Sequence, residues 1–106
     1  MTTVPEQVAT ARAAAEAAQF GYSSDDTVGR FLSVLAAAVP LGGRILELGT
    51  GAGVGLAWLV HGLGQRTDVE VMTVESAPAQ AALARSQSWP HFVTLLYDEA
   101  ASVLPC

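Results

Sequence analysis

The hydrophobic positions of this chain alternate between short apolar runs and stripes with helical spacing. Three runs rich in Ile, Leu and Val, each followed within two residues by a glycine or an acid, predict buried β-strands: residues 44–48, 69–74 and 91–96. Apolar residues with helical spacing, or alanine-rich segments, predict four helices: residues 5–20, 27–39, 54–63 and 78–88. Alternation of strands with helices predicts an α/β fold with a parallel sheet and helical crossovers.

The helix predicted over residues 27–39 has the clearest amphipathic stripe. Six apolar residues fall at i, i+3, i+4, i+7, i+8 and i+11, and we expect all of them in the core: Val28, Phe31, Leu32, Leu35, Ala36 and Val39. Asp25 is a candidate N-cap, and Pro40 ends the helix. The alanine-rich helix over residues 5–20 has only small apolar residues on one face, so we expect a surface helix.

Length and composition bound the kind of protein. A chain of 106 residues with 51% hydrophobic residues is enough for one small domain with a real core. We divide it into an N-terminal helix and loop, residues 1–26, and a main unit, residues 27–106. The net charge of −5 gives no sign of a nucleic-acid partner. With a single cysteine, Cys106, no basic leader and no apolar run of membrane length, we expect a soluble, cytoplasmic protein.

The first strand runs into a loop with a glycine at every second position, and an apolar helix follows. Glycines let the backbone approach a ligand closely, and the helix start offers unpaired N–H groups. A dinucleotide fingerprint would need glycine or alanine where Val54 or Leu56 stands, which disfavours an NAD-dependent oxidoreductase half. The lysine of a phosphate-binding P-loop is absent from this loop. The remaining alternative to a ligand site is a tight turn with a solvated Glu47.

The pattern acidic-x-Gly-x-Gly-x-Gly, formed by Glu47, Gly49, Gly51 and Gly53, resembles motif I of the class I S-adenosylmethionine-dependent methyltransferases. The wider segment Ile-Leu-Glu-Leu-Gly-Thr-Gly-Ala-Gly looks most like the O-methyltransferase branch that includes the catechol type. The resemblance implies a Rossmann-like fold and S-adenosylmethionine as cofactor. It also implies that Glu47 and the loop, with Thr50, hold the methionine part.

Glu75 ends the second strand, about twenty residues after the glycine loop. An acid in this position can accept hydrogen bonds from two ribose hydroxyls. The resemblance agrees, since it matches Glu75 to the acid of motif II. Ser76, next to it, is a further cofactor-binding candidate. The alternative is that Glu75 or Ser76 only caps the helix that begins near Pro78.

The segment Tyr97-Asp98-Glu99-Ala100-Ala101 resembles the family's Gly-Asp-Ala segment, whose aspartate accepts a hydrogen bond from the adenine amino group. Asp98 matches that aspartate, whereas Tyr97 and Glu99 depart from the pattern. Because of these departures, Glu99 remains an alternative to Asp98 for this role. The alternative is that Asp98 caps a short helix over residues 98–104, and both roles are compatible.

The resemblance extends from about residue 27 to residue 104 and covers only the cofactor half of that fold, about three strands. It implies a methyltransferase that acts on an oxygen of a small-molecule acceptor. No catalytic base, metal site or nucleophile constellation is recognisable, so the catalytic residues stay unknown. The main alternative is a truncated, non-catalytic module that binds a cofactor or a partner. Its exposed first strand would then serve self-association or a partner chain.

Overall fold

The structure is a computed structural model, and it describes residues 4–19 and 25–98. The helices and strands follow in the predicted order: α1 Glu6–Ala17, α2 Asp26–Ala37, β1 Arg44–Leu48, α3 Val54–Leu63, β2 Glu70–Glu75, α4 Pro78–Arg85 and β3 Val93–Tyr97. Their ends differ from the predicted ends by at most three residues. The short helix predicted over residues 98–104 falls almost wholly outside the described residues.

The strands form a parallel sheet in the order β1-β2-β3. The predicted α/β fold with a Rossmann-like parallel sheet is therefore confirmed. Within the described residues, β1 is an edge strand, as expected. The register pairs Glu47 of β1 with Thr73 of β2, and Glu75 of β2 with Tyr97 of β3. The carboxyl ends of all three strands consequently meet at one edge of the sheet, where the acids predicted to bind the cofactor lie.

One face of the sheet is covered by helices. The main core joins strand residues of this face, such as Ile45 and Val71, to buried residues of α2 and α3: Ala36, Leu56, Leu59 and Leu63. A second cluster packs α1 on α3 through Val8, Ala11, Val54, Ala57 and Trp58. The small-residue face of α1 is thus sufficient to dock this helix on the surface of the domain.

The prediction that the whole apolar stripe of α2 lies in the core is wrong. Val28, Phe31 and Leu35 are 49%, 57% and 50% exposed. Ala36 is buried, and Leu32 and Val39 are only partly buried against the core.

The surface of α2 that packs on α3 is instead made of small residues. Gly29 and Ala36 are buried, and the Ser33 hydroxyl donates a hydrogen bond of 2.8 Å to the backbone oxygen of Trp58. On α3, a Cβ at Gly62 would overlap the backbone of Ser33. The two helices therefore approach closely along small side chains, since the size of the contact residues sets the distance between helix axes. Hydrophobic periodicity could not find this contact because glycine and serine contribute little to it.

The opposite face of the sheet is partly uncovered. Leu46 and Leu48 of β1 and Met72 of β2 are 46%, 47% and 37% exposed. Among the described residues, no helix is long and apolar enough to cross a membrane.

Candidate functional site

The loop between β1 and α3 has an unusual backbone. Gly49, Gly51 and Gly53 have φ angles of 87°, 56° and 100°, in the left-handed region that side chains disfavour. The backbone N–H groups of Gly49 and Thr50 both donate to the carbonyl oxygen of Val74, at 2.7 and 3.1 Å. The alternating glycines thus fold the loop back over the end of β2.

The carboxylate of Glu75 joins this loop to the segment that follows β2. Its Oε1 accepts a hydrogen bond of 2.7 Å from the N–H of Gly51, and its Oε2 accepts one of 3.0 Å from the N–H of Ala77. Glu75 is 8% exposed. Glu75 therefore does more than end a strand, because its carboxylate holds the glycine loop after β1 and the segment after β2 together.

The expectation that Glu75 or Ser76 caps α4 is not met in the form predicted. The N-cap residue is Ala77, which has no side-chain capping hydrogen bond, and Pro78 begins the helix. Glu75 instead bonds the N–H of the N-cap residue itself. Ser76 is exposed beside it.

Glu47 lies at the same edge, in contact with a buried pair of hydroxyls. The Thr73 hydroxyl donates to Oε1 of Glu47 at 2.7 Å, and the hydroxyl oxygens of Thr73 and Thr50 are 2.6 Å apart. Thr73 is fully buried, and Thr50 is 5% exposed. Glu47 is thus not the freely solvated acid of a simple turn.

Burial has a clear electrostatic effect on Glu47. Desolvation disfavours the charged form and raises the pKa of its carboxyl from 4.5 to about 7. The Thr73 hydrogen bond acts in the opposite direction, and the negative charge of Glu75 raises the pKa further. A carboxyl in this state gains from a cationic partner, which would favour its ionised form.

Asp98 lies next to these acids. Its backbone N–H donates to the carbonyl oxygen of Glu75 at 3.0 Å, which continues the pairing of β3 with β2 by one residue. The side chain of Asp98 is exposed. The described structure therefore brings Glu47, Glu75 and Asp98 to one sheet edge, whereas Glu99, the alternative to Asp98, is outside the described residues.

No protein-family model matches the sequence, and no curated protein matches it. Solved structures do match. The O-methyltransferase TomG from Streptomyces achromogenes, in complex with SAM, superposes with a TM-score of 0.81 and 24% identity, over 97% of this chain and 47% of its own. An O-methyltransferase from Bacillus cereus, in complex with SAH, gives a TM-score of 0.74 and 22% identity, over 97% of this chain and 48% of its own.

The chain has the fold of the O-methyltransferases. Cofactor-bound Rv0187 from MTB is also similar, with a TM-score of 0.80 and 30% identity over 94% of this chain and 47% of its own. The chain thus spans about half the length of the solved structures it matches. The resemblance seen in the sequence is confirmed at the level of the fold.

In this methyltransferase fold, several residues that support the glycine loop were not predicted from the sequence. Gln87 donates from Nε2 to the carbonyl oxygen of Ala52 at 2.7 Å, so a hydrogen bond connects the segment after α4 to the glycine loop. Trp89 packs there too, since a Cβ on Gly53 would lie 2.8 Å from its Cζ2 atom.

Thr73 of β2 was also not predicted as a site residue. It was detectable only as a polar residue inside an apolar strand, and its role depends on the register with Glu47.

Within the described ranges, no group of three or more His, Cys, Asp or Glu side chains that could hold a metal ion is found. The two histidines, His61 and His91, are exposed, and both pack edge-on against a neighbouring aromatic ring. They lie outside the polar network formed by Glu47, Thr73, Thr50 and Glu75.

Proposed function

We propose that this chain binds S-adenosylmethionine at the carboxyl edge of its sheet and serves methyl transfer to an oxygen of a small molecule. The observation that carries the proposal is the contact between Glu75 and Gly51, which joins a glycine loop in left-handed conformation to a buried carboxylate. The O-methyltransferase fold supports it, as do solved neighbours in complex with SAM and SAH.

Glu75 is assigned to the ribose. Each carboxylate oxygen has two lone-pair sites, and each of the two oxygens of Glu75 accepts one backbone N–H. One acceptor site therefore remains on each oxygen, and two adjacent hydroxyls match that arrangement. The two backbone hydrogen bonds hold the carboxylate in a fixed orientation, which lowers the entropic cost of binding.

Glu47 is assigned to the ammonium group of the methionine part. The half-buried carboxyl has its pKa raised to about 7, and in the described structure its hydrogen bond comes from a neutral hydroxyl. An ammonium ion would supply both a donor and a compensating charge. Asp98, exposed at the end of β3, is assigned to the adenine amino group, with Ser76, Gly49, Thr50 and Gly53 lining the cofactor.

The chemistry that these residues support is an in-line displacement at a sulfonium methyl group. Such a reaction depends mainly on alignment of the methyl carbon with the acceptor oxygen. The residues assigned above hold and orient the donor. The acceptor and the base that removes its proton remain unassigned.

The first test is an NMR titration of the purified chain with S-adenosylhomocysteine, followed through backbone amides. We expect dispersed spectra whose shifts concentrate at residues 49–55, Glu75 and Asp98. A folded chain whose amides ignore the ligand would refute the cofactor proposal.

A matched pair of glycine variants separates the site from general strain. Gly51 and Gly64 have φ angles of 56° and 60°, and a Cβ at either would meet no atom within 4 Å. Gly51→Val and Gly64→Val therefore both strain the backbone, and at neither position does the added Cβ atom overlap a neighbour. We expect only Gly51→Val, together with Glu75→Ala, to abolish binding of S-adenosylhomocysteine, as measured by calorimetry. Equal binding by both glycine variants would contradict the assignment.

The second candidate is a non-catalytic module that self-associates through the β1 edge. The half-exposed Leu46 and Leu48, with Met72 beside them, favour it, since an apolar edge strand is a pairing surface. Light scattering tests it: a concentration-dependent dimer that Leu46→Lys converts to a monomer would support this candidate. A wild-type monomer would exclude self-association.

A further inference from the structure

Beneath the glycine loop, three side chains form a continuous polar chain in an apolar core. Thr73, fully buried in the central strand β2, lies between Glu47 of β1 and Thr50 of the loop. The apolar neighbours Val71 and Val74 on the same strand are 1% and 2% exposed. A hydroxyl in such surroundings is costly unless it is hydrogen-bonded, so its two contacts matter for folding and for the loop.

The hydrogen bonds that link Thr50, Thr73 and Glu47 all point in one direction. A threonine hydroxyl carries one proton, and that of Thr73 is donated to Oε1 of Glu47. Thr50 must therefore donate its own proton across the 2.6 Å contact with Thr73. The hydrogen bonds run from Thr50 to Thr73 to Glu47, and they end on the group that favours a cation when ionised.

We propose that Thr73 is a positioning residue that couples Glu47 to Thr50, so that capture of a cationic group at Glu47 also holds the glycine loop in its binding conformation. This inference rests on the proposed cofactor site but goes beyond it, since Thr73 is fully buried and is not among the residues assigned to the cofactor. The restraint on Thr50 extends to Gly49, because the backbone N–H groups of both residues donate to the carbonyl oxygen of Val74.

Two physical consequences follow for a chain without the Thr73 hydroxyl. Glu47 loses the hydrogen bond that favours its ionised form, while desolvation and the charge of Glu75 remain. Its pKa then rises above that of the wild type. At the same time the Thr50 hydroxyl loses its acceptor, and the loop loses its side-chain attachment to β2.

The first test needs no ligand and compares Thr73→Val, which keeps the shape, with Thr73→Ser, which keeps the hydroxyl. The Glu47 side-chain carboxyl is followed by carbon-13 NMR from pH 4 to pH 9. We expect a higher titration midpoint in Thr73→Val than in the wild type, and a midpoint near that of the wild type in Thr73→Ser. Identical midpoints in both variants would overturn the coupling to Glu47, whatever the chain binds.

The second test uses two ligands that differ in the ammonium group: S-adenosylhomocysteine and adenosine. Loss of a hydrogen bond that orients a charged group predicts a weakening of S-adenosylhomocysteine binding of roughly tenfold to a hundredfold in Thr73→Val. Adenosine, which lacks the amino acid part, is expected to change by less than about threefold. Thr73→Ser should restore most of the loss, and the midpoint of the pH–affinity profile should move upward only in Thr73→Val.

The outcomes separate this inference from the proposed function. If the wild type binds neither ligand, the cofactor proposal fails, and the carboxyl titration alone decides the hydrogen-bond chain. If both ligands weaken equally in Thr73→Val, its role is merely structural and the inference is overturned. Should Thr73→Val fail to fold, Thr73→Ala removes the same hydroxyl with a smaller side chain. We expect the same rise of the Glu47 midpoint and the same selective weakening of S-adenosylhomocysteine binding, and an equal weakening of both ligands would overturn the inference.

Discussion

A side chain at Gly29 would occupy the space that the indole of Trp58 fills. A Cβ built on Gly29 overlaps the pyrrole edge of the Trp58 ring, which is fully buried between α1, α2 and α3. Arg30 lies over the same ring, with its Cζ 5.2 Å from the ring centroid. The absence of a side chain at Gly29 is therefore what allows α2 to approach Trp58 of α3 so closely.

Gly29→Ala tests this contact. Alanine favours a helix by up to about 1 kcal/mol over glycine, so the substitution would stabilise the protein at a helix position with room for a methyl group. We expect a loss of about 1–3 kcal/mol instead, because the added methyl group overpacks the core. The measurement is urea unfolding.

A double-mutant cycle with Trp58→Phe supplies the control. Within the part of the chain that the structure describes, the indole Nε1 has no hydrogen-bond partner, so phenylalanine removes none. The cost of Gly29→Ala should be smaller in the Trp58→Phe background. An equal cost in both backgrounds would show that the overlap is not the cause.

Glu47→Gln is expected to stabilise the unliganded chain in a pH-dependent way. The folded-state pKa of about 7 lies above the ordinary value of 4.5, so the folded state retains a proton that the unfolded state has lost. Between these pH values stability therefore falls as the pH rises, and above pH 7 Glu47 costs up to about 3 kcal/mol. Glutamine keeps the acceptor for Thr73 without the charge.

Thermal unfolding at pH 4.5 and pH 8 measures this effect. We expect Glu47→Gln to resemble the wild type at pH 4.5 and to melt higher at pH 8. Glu70→Gln is the control, since this acid is exposed and pairs with Arg44 at the other end of the sheet. If the difference in melting temperature between Glu47→Gln and the wild type is the same at pH 4.5 and pH 8, the raised pKa of Glu47 is contradicted.

Asp68→Asn addresses stability in acid. The Arg66 guanidinium and the N–H of Gly42 hold the pKa of Asp68 well below its usual range. A depressed pKa stabilises the fold above the ordinary value of 3.8, and this contribution is lost as the pH falls below it. The wild type should therefore lose stability below pH 4 more steeply than Asp68→Asn, as followed by circular dichroism.

The matched control is Asp26→Asn, whose carboxylate forms a half-exposed ion pair with Arg12. Exposed pairs contribute little, so its acid profile should follow that of the wild type. Arg66 additionally donates to the carbonyl oxygens of Val39 and Pro40, after α2. If Asp68→Asn and Asp26→Asn have the same acid profile, the ion pair between Arg66 and Asp68 does not govern the stability of the fold in acid.

Gly53→Ala and Gly49→Ala separate backbone strain from steric overlap. Both glycines have positive φ angles, 100° and 87°, but only a Cβ at Gly53 meets an aromatic ring, 2.8 Å from Cζ2 of Trp89. We expect Gly53→Ala to be less stable than Gly49→Ala by about 1–3 kcal/mol in chemical unfolding. Equal losses would indicate that Trp89 moves aside freely.

Much of the architecture was predictable from the sequence. The three strands and the helices between them follow from apolar runs and helical stripes, and β1 and α3 match their predicted bounds. The meeting of Glu47, Glu75 and Asp98 follows from chain direction alone, since parallel strands place their carboxyl ends together. Their roles as cofactor ligands stay predictions.

Local pattern therefore determined the order of elements, the parallel sheet, the glycine loop and the acids at the strand ends, because each depends on a few neighbouring residues. Tertiary structure alone decided which face of α2 packs and which hydroxyl meets Glu47. Gly29 and Ser33 form the helix contact because small residues permit close approach, and this leaves Phe31 exposed. Thr73 reaches Glu47 because the strand register places them opposite each other, and register depends on the packing of the whole sheet.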